Sequence, residues 1–330
     1  MKRALAAFGF VLAVATSAAA EGSHLLVIVG LGGDPETAAT FHAWAVKVVD
    51  AARDRYKLPA ASVVYLGEEL ARDPARINGR STREEIEGAV DRLAARARPG
   101  DRVFIVLIGH GASAAGEPRF NLPGPDMTVG DYARLLNRLS AQTVTFVNTA
   151  SASAGFVAGL AGRDRVIIAA TKTDGERNQT RFGEFFADAL ASADADLDKD
   201  GRVSIFEAFV WARGQVADWY KKQGQILTEH AVLEDNGDGK GSDVPGQPGS
   251  DGALARTLFL TADTGRAAPE TIADPALRAL YEERRAIEDR IGALRAAKDR
   301  MEEARYEREM EQLLIELARK TREIREKEKK

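Results

Sequence analysis

The sequence contains no cysteine, and this absence limits the chemistry that the chain can perform. Without a thiol, the chain can form no disulfide bond, no thiolate metal site and no cysteine nucleophile of its own. Positive charge is not in excess either, because the formal net charge at pH 7 is −4. A basic surface of the kind that holds nucleic acid is therefore not expected, and we predict no nucleic-acid partner.

Long apolar runs are also scarce. Beyond the first twenty residues, none approaches the length of a membrane-spanning helix. Residues 1–20 begin with Lys2 and Arg3, continue with an apolar run to Val14 and end in small residues, an order typical of a secretory signal peptide. We expect cleavage near Glu21 and a periplasmic or secreted mature protein. An uncleaved membrane anchor is the alternative, for which the apolar run is short.

Short apolar runs alternate with helical patterns over residues 21–265. Continuous apolar runs rich in β-branched residues are typical of strands buried on both faces, as in a parallel sheet covered by helices. We therefore predict an α/β three-layer sandwich with a mostly parallel sheet. The predicted strands are Leu25–Val29, Ser62–Leu66, Val103–Ile108, Thr143–Asn148 and Val166–Ala170, with Leu258–Leu260 as a last edge strand.

Residues 266–330 differ in composition, since a short linker leads into a tail made mostly of Glu, Arg, Lys, Ala and Leu. Its apolar residues recur at heptad spacing, which is typical of a coiled coil. We predict one long C-terminal helix that forms a homo-oligomer or binds a partner helix through residues 277–324. A solvated single helix is the alternative. The heptad positions are Leu280, Ile287, Leu294 and Met301, then Met310, Leu317 and Ile324 after a phase shift.

The strongest local motif is an acidic loop between two helical patterns, at residues 196–207. Its alternating carboxylates, central glycine and closing glutamate match the calcium loop of an EF-hand, in which about six to eight oxygens surround the ion. A solvated acidic turn is the alternative. We predict a calcium site whose ligands are the side chains of Asp196, Asp198, Asp200 and Glu207 and the carbonyl oxygen of Arg202.

A second acidic loop covers residues 234–250, which are rich in Gly, Asp and Pro. Its first half has the alternating pattern of a calcium loop, but the twelfth position is Pro245, which offers no carboxylate. Residues 234–245 therefore either bind a second calcium ion with another ligand, such as Asp243, or form a plain turn. The matching positions are Glu234, Asn236, Asp238 and Gly239.

Polar residues also follow two of the predicted buried strands. His110 lies between Gly109 and Gly111 after the strand at 103–108, and residues 149–155 (TASASAG) follow the strand at 143–148. Ligands of parallel sheets collect at the carboxyl ends of the strands. We therefore expect His110 and a group of small hydroxyl residues to lie side by side at one edge of the sheet.

The span from Ser81 to Gly155 resembles the caspase and legumain-like cysteine peptidase superfamily. In that family one buried strand ends in His-Gly and the next in Ala-Cys-x-Ser-Gly, and this chain has IGHG and FVNTASASAG, with the last glycine one position late. The resemblance implies a caspase-like fold in which His110 is the catalytic histidine. It also implies that the Gly111 N–H helps to hold an oxyanion, and that Ser151 replaces the nucleophilic cysteine.

The serine changes what the resemblance implies for activity. A thiol beside a histidine readily forms a thiolate, whereas a hydroxyl needs a well-aligned base, which serine hydrolases orient with a buried carboxylate. The sequence does not assign that role to Asp126, Asp174 or Glu176. We expect an exported homologue without peptidase activity that binds calcium and acts as an interaction or assembly module for a peptide or protein. The alternatives are a hydrolase that uses Ser151 and His110, or an unrelated doubly wound domain.

Overall fold

Strands and helices alternate along most of the chain. The computed structural model describes residues 22–114, 116–199, 201–247, 250–261, 274–296 and 301–328, so the predicted signal peptide lies outside the described residues. Within these ranges, no helix is both long enough and apolar enough to span a bilayer. The strands are β1 (Ser23–Val29), β2 (Val63–Gly67), β3 (Gly79–Arg80), β4 (Arg102–Ile108), β5 (Gly111–Ala114), β6 (Glu117–Phe120), β7 (Met127–Thr128), β8 (Thr143–Asn148), β9 (Arg165–Ala169) and β10 (Val232–Glu234). The helices are α1 (Pro35–Asp50), α2 (Arg83–Arg96), α3 (Val129–Leu136), α4 (Gly155–Leu160), α5 (Phe182–Ala191), α6 (Ile205–Lys222), α7 (Pro275–Ala296) and α8 (Glu303–Glu328).

Seven strands form one sheet in the order β10-β9-β8-β4-β1-β2-β3. All neighbouring strands are parallel except β10, which runs antiparallel to β9. The predicted α/β class with a mostly parallel sheet is therefore confirmed. The chain crosses from β4 to β8 through α3, but a small antiparallel sheet of β5, β6 and β7 precedes that helix.

The large sheet is covered on both faces, which gives three layers. One face packs against α1, α5 and α6 and includes Val27 and Val106. The other face packs against α2, α3 and α4 and includes Ile28 and Ile105. Successive side chains of a strand point to opposite faces. Because both faces are buried, β1 from Leu25 and β4 from Val103 are continuously apolar instead of alternating with polar residues.

The edge of the sheet differs from the prediction. Leu258–Leu260 is not a strand of the sheet, because Phe259 forms only a single antiparallel bridge, with Ser204 at the end of the acidic loop. The edge strand on this side is β10, which the sequence did not reveal. β10 has three residues and ends in the charged Glu234, so it lacks the apolar run that marks the other strands.

The prediction of one long helix in the tail is wrong. The tail forms two helices, α7 and α8, that pack together. The ion pairs Arg290–Glu316 and Lys320–Glu283 show that α7 and α8 run antiparallel. The heptad stripe of α7 is therefore buried against α8 of the same chain. The phase shift in the heptad pattern follows Met301, which lies between the end of α7 and the start of α8. The apolar contacts involve Ile287, Ile291, Leu294 and Leu313, with Met310 and Leu317 partly buried beside them.

Candidate functional site

The carboxyl ends of β4 and β8 form the first candidate site, which we call the rim (residues 109–111 and 149–155). The two strands are neighbours in parallel register, with Leu107 opposite Asn148. Ser151 Oγ donates a hydrogen bond to the Gly111 carbonyl oxygen over 3.1 Å and accepts one from the Gly111 N–H over 3.4 Å. The structure thus brings together the His-Gly pair and the serine that the sequence predicted to be adjacent.

Gly111 is needed at the rim because two backbones meet there. A Cβ atom at this position would lie 2.2 Å from the carbonyl oxygen of Ser151, far inside van der Waals contact. Ala152, which follows Ser151, has a φ of 48°. This value lies in the left-handed region, which costs a non-glycine residue roughly 1–2 kcal/mol. Its N–H donates to the carbonyl oxygen of Glu176 over 2.9 Å, which helps to hold this turn.

His110 is half-buried, and its ring packs edge-on against Phe41 with 5.0 Å between the centroids. Among the described residues, no hydrogen bond joins the imidazole to Ser151 or to a carboxylate. Asp34 lies near enough for His110 to contribute to its lowered pKa, but the main cause is hydrogen bonding from Thr37. The carboxylate of Asp34 also caps α1 and is therefore committed to that helix.

The three acids considered as partners of His110 have other roles. Asp126 accepts the backbone N–H of Leu122 over 3.1 Å. Asp174 accepts the N–H of Gly155, also over 3.1 Å. Glu176 pairs with His230 Nδ1 at 3.0 Å. None of the three therefore orients His110 in the way that a serine hydrolase requires.

The hydroxyl groups that follow β8 are used inside the fold. Thr149 Oγ1 donates to the carbonyl oxygen of Leu107 over 2.9 Å, and Ser153 Oγ shares a hydrogen bond with Thr171 Oγ1 at 3.1 Å. Ser151 itself is only 4% exposed. The hydroxyl groups of this segment therefore stabilise the turn between β8 and α4 and are not presented to a ligand.

The acidic loop is the second candidate site and lies between α5 and α6. One carboxylate oxygen from each of Asp196, Asp198 and Glu207 lies within 4.8 Å of the others. Gly201 has a φ of 88°, which allows the sharp turn, and its N–H donates to Asp196 Oδ2 over 2.9 Å. The predicted ligand Asp200 lies outside the described residues. This donor set fits a hard cation such as calcium, which prefers carboxylate and carbonyl oxygens.

Glu207 ties the acidic loop to α6. Its Oε2 accepts the Ser204 N–H over 2.8 Å and so caps the helix, while its Oε1 accepts two N–H groups from the start of the loop. The fifth predicted ligand, Arg202, would offer its carbonyl oxygen, and its guanidinium lies 4.1 Å from the ring centroid of Phe259. The next residue, Val203, is fully buried in the core. The loop is therefore anchored by packing and capping as well as by its carboxylates.

Helix α5 connects the two sites. It begins beside the rim, where the Thr180 hydroxyl donates to the Thr149 carbonyl oxygen, and it ends at Ala191 before the acidic loop. Its ten residues span roughly 15 Å at the helical rise. A cation in the acidic loop could therefore affect the rim only through packing and not by contact.

The second acidic loop differs from its prediction at one residue. Asp243 was the suggested closing ligand, but its Oδ2 pairs with Lys172 Nζ at 3.0 Å. Asp251, which no sequence motif marks, is 3% exposed and lies against the same turn as the fully buried Glu234. Burial raises the pKa of both carboxyl groups. Spacing alone could not reveal this residue, because the fold brings it back to the turn.

The sequence matches no protein-family model, and no curated protein matches it. Among solved structures, it is similar to the crystal structure of a structural-genomics target protein from Geobacter sulfurreducens, at 11% sequence identity and a TM-score of 0.43. The alignment covers 73% of this chain and 99% of that protein. A likeness at this level supports no conclusion about family or activity.

Proposed function

We propose that this chain is an exported caspase-like homologue that lacks peptidase activity, binds calcium in the acidic loop and acts as an interaction or assembly module. The observation that carries the proposal is the convergence of Asp196, Asp198 and Glu207 within 4.8 Å. Like charges held so close repel one another, and a divalent cation relieves that repulsion.

Calcium in this site would stabilise the layer that covers one face of the sheet. The loop leads directly into α6, whose Phe206 and Phe209 are buried in the core with the residues of α5. Extracellular calcium modules have dissociation constants on the order of 10⁻⁴–10⁻³ M. At a calcium concentration about ten times such a constant, binding adds about 1.4 kcal/mol to the free energy of unfolding.

The rim supports the part of the proposal that concerns activity. The Ser151 hydroxyl donates its proton to a backbone carbonyl and not to the imidazole of His110. A serine nucleophile needs that imidazole as a base, held in place by a carboxylate. The alternative is a serine hydrolase, favoured by the common edge at which His110 and Ser151 lie, and it predicts a reactive Ser151.

Thermal unfolding with calcium and with a chelator tests the calcium site. We expect calcium to raise the Tm of the wild type by a few degrees, since about 1.4 kcal/mol corresponds to roughly 2–3 °C when the entropy of unfolding is about 2.1 cal/mol/K per residue. The Asp198→Asn variant should lose the part of that increase that calcium in this loop contributes. Asp194→Asn, an exposed acid just outside the loop, is the matched control and should keep it. A wild-type Tm that does not respond to calcium would refute the site.

A further inference from the structure

Glu234, the last residue of β10, is a fully buried carboxylate with one oxygen that has no partner. Its Oε1 accepts the N–H groups of Gly237 over 2.5 Å and Gly239 over 3.5 Å. Its Oε2 is buried and makes no hydrogen bond within the part of the chain that the structure describes. A buried carboxylate oxygen without a partner is costly in its charged form, and a bound cation removes that cost. The side chain therefore points to a ligand at this turn.

Asp251 brings a second buried carboxylate to the same turn from elsewhere in the chain. It is 3% exposed, and its Oδ1 accepts the N–H of Asp235 over 3.1 Å. Asp238 belongs to the same turn, since the N–H groups of Gly237 and Gly239 on either side of it donate to Glu234 Oε1. Asn236 and Asp238 are exposed, so their side of the turn is open to solvent.

The first half of this loop repeats the geometry of the acidic loop at 196–207. There, Asp196 in position one accepts the N–H of Gly201 in position six over 2.9 Å. Here, Glu234 accepts the N–H of Gly239, also five residues later. Both glycines have positive φ, 88° and 75°, so the backbone makes the same kind of turn.

The closing carboxylate is also repeated. In the acidic loop, Glu207 Oε1 accepts the N–H groups of the second and third loop residues, over 2.9 and 3.1 Å. In the second acidic loop, Asp251 Oδ1 accepts the N–H of the second residue, Asp235, over 3.1 Å. Asp251 therefore takes the place of the twelfth-position acid, where the sequence has Pro245.

We propose that the second acidic loop is a second calcium site, in which Glu234 and Asp251 are the buried ligands and Asn236 and Asp238 add side-chain oxygens from the solvent side. Asp251 supplies the carboxylate that the linear motif lacks. We do not assign Asp243 as a ligand, because its carboxylate pairs with Lys172 Nζ at 3.0 Å. This site is separate from the acidic loop at 196–207 and does not depend on calcium binding there.

Equilibrium dialysis of the purified full chain, with bound calcium counted by atomic spectroscopy, tests the proposal. Because extracellular sites bind weakly, the calcium concentration should be about 10 mM. We expect two ions per wild-type chain, one per Asp251→Asn chain, one per Asp196→Asn chain and none when both changes are combined. Asp243→Asn, an acid of the same loop, is the matched control and should keep both ions.

Two results would overturn the second site. One is a wild-type chain that binds a single ion, which Asp196→Asn removes. The other is an Asp251→Asn chain that still binds two. If Asp251→Asn does not fold, judged by circular dichroism in chelator, then Glu234→Gln provides the same comparison and should also bind one ion. If Asp251→Asn loses an ion while Asp196→Asn loses none, the second site stands and the acidic loop at 196–207 is the one refuted.

Discussion

The rim and the acidic loop both place polar side chains in a turn beside α5, but they use these side chains differently. At the rim, the hydroxyls of Thr149 and Ser151 donate to backbone carbonyls of the neighbouring segment. Their hydrogen-bonding capacity is satisfied within the fold. In the acidic loop, the carboxylates of Asp196, Asp198 and Glu207 converge on one another. Their charges repel at that distance, and a cation bound between them would relieve the repulsion.

This difference shows that one sequence pattern can have two structural causes. Polar residues after a buried strand or helix indicate either a turn that the protein must hold or a site that a ligand must fill. Partner atoms decide between them. Where each donor has a backbone acceptor, as at Ser151, the residue holds the turn. Where carboxylates of like charge converge, as around Glu207, a cation can bind between them even though Glu207 also accepts backbone hydrogen bonds.

Gly111→Ala should have the largest effect on this comparison. The added Cβ would lie 2.2 Å from a backbone oxygen, which cannot move cheaply. We expect the free energy of unfolding to fall by about 1–3 kcal/mol, measured by urea denaturation. Gly214→Ala in α6 is the matched control, because no atom lies within 4 Å of its added Cβ. The free energy of unfolding of that variant should be unchanged or should rise by up to about 1 kcal/mol.

A Gly111→Ala protein as stable as the wild type would contradict the close approach of the two backbones. The rim would then be a loose turn with room for a ligand, and its contrast with the acidic loop would disappear.

Ser151→Ala should have a smaller effect on stability and none on reactivity. Removal of the hydroxyl leaves the Gly111 carbonyl without this donor, at a cost of about 1–2 kcal/mol. A fluorophosphonate probe should label neither the wild type nor the variant, because the Ser151 proton is held by a backbone oxygen. Ser113→Ala, on β5, is the control for labelling of other serines.

Covalent labelling of the wild type that is lost in Ser151→Ala and kept in Ser113→Ala would favour the hydrolase over the proposed function. Ser151 would then exchange its backbone acceptor for His110 when a substrate binds. Labelling of that kind would make the rim the catalytic region and the acidic loop its support.

Much of the fold was predictable because strands that are buried on both faces have continuous apolar sequences. β4 and β8 were found as apolar runs, and their parallel register made the meeting of Gly111 with Ser151 predictable. β10 was missed because three residues are too few for a pattern. The tail was predicted as one helix because a heptad stripe indicates a partner but not which partner, and α8 of the same chain is that partner for α7.

The sites were less predictable, since partner atoms depend on the folded chain. The motif at 196–207 is continuous, so its carboxylates could be assigned directly. Asp251 could not, because it lies seventeen positions after Glu234 in the sequence and only the fold brings it to the turn. The hydrogen bond from Ser151 to a backbone carbonyl was also beyond the sequence, which gives residue types and not the directions of their protons.

Hydrogen exchange with and without calcium should show the smallest but most direct difference between the two regions. We expect calcium to slow the exchange of amides in residues 196–207 and in the first turn of α6, by up to about tenfold for each 1.4 kcal/mol of binding energy. Amides at 149–155 should change little. The hydrogen bonds of Ser151 and Ala152 are complete without the ion, and α5 separates the two regions by roughly 15 Å.

The Asp198→Asn variant is the control, and its exchange should not respond to calcium in either region. Equal slowing at 149–155 and at 196–207 in the wild type would contradict the separation. It would mean that the rim opens together with α5 and α6 as one cooperative unit, which calcium closes. The acidic loop would then regulate the rim through α5, because α5 begins beside Thr149 and ends at the loop.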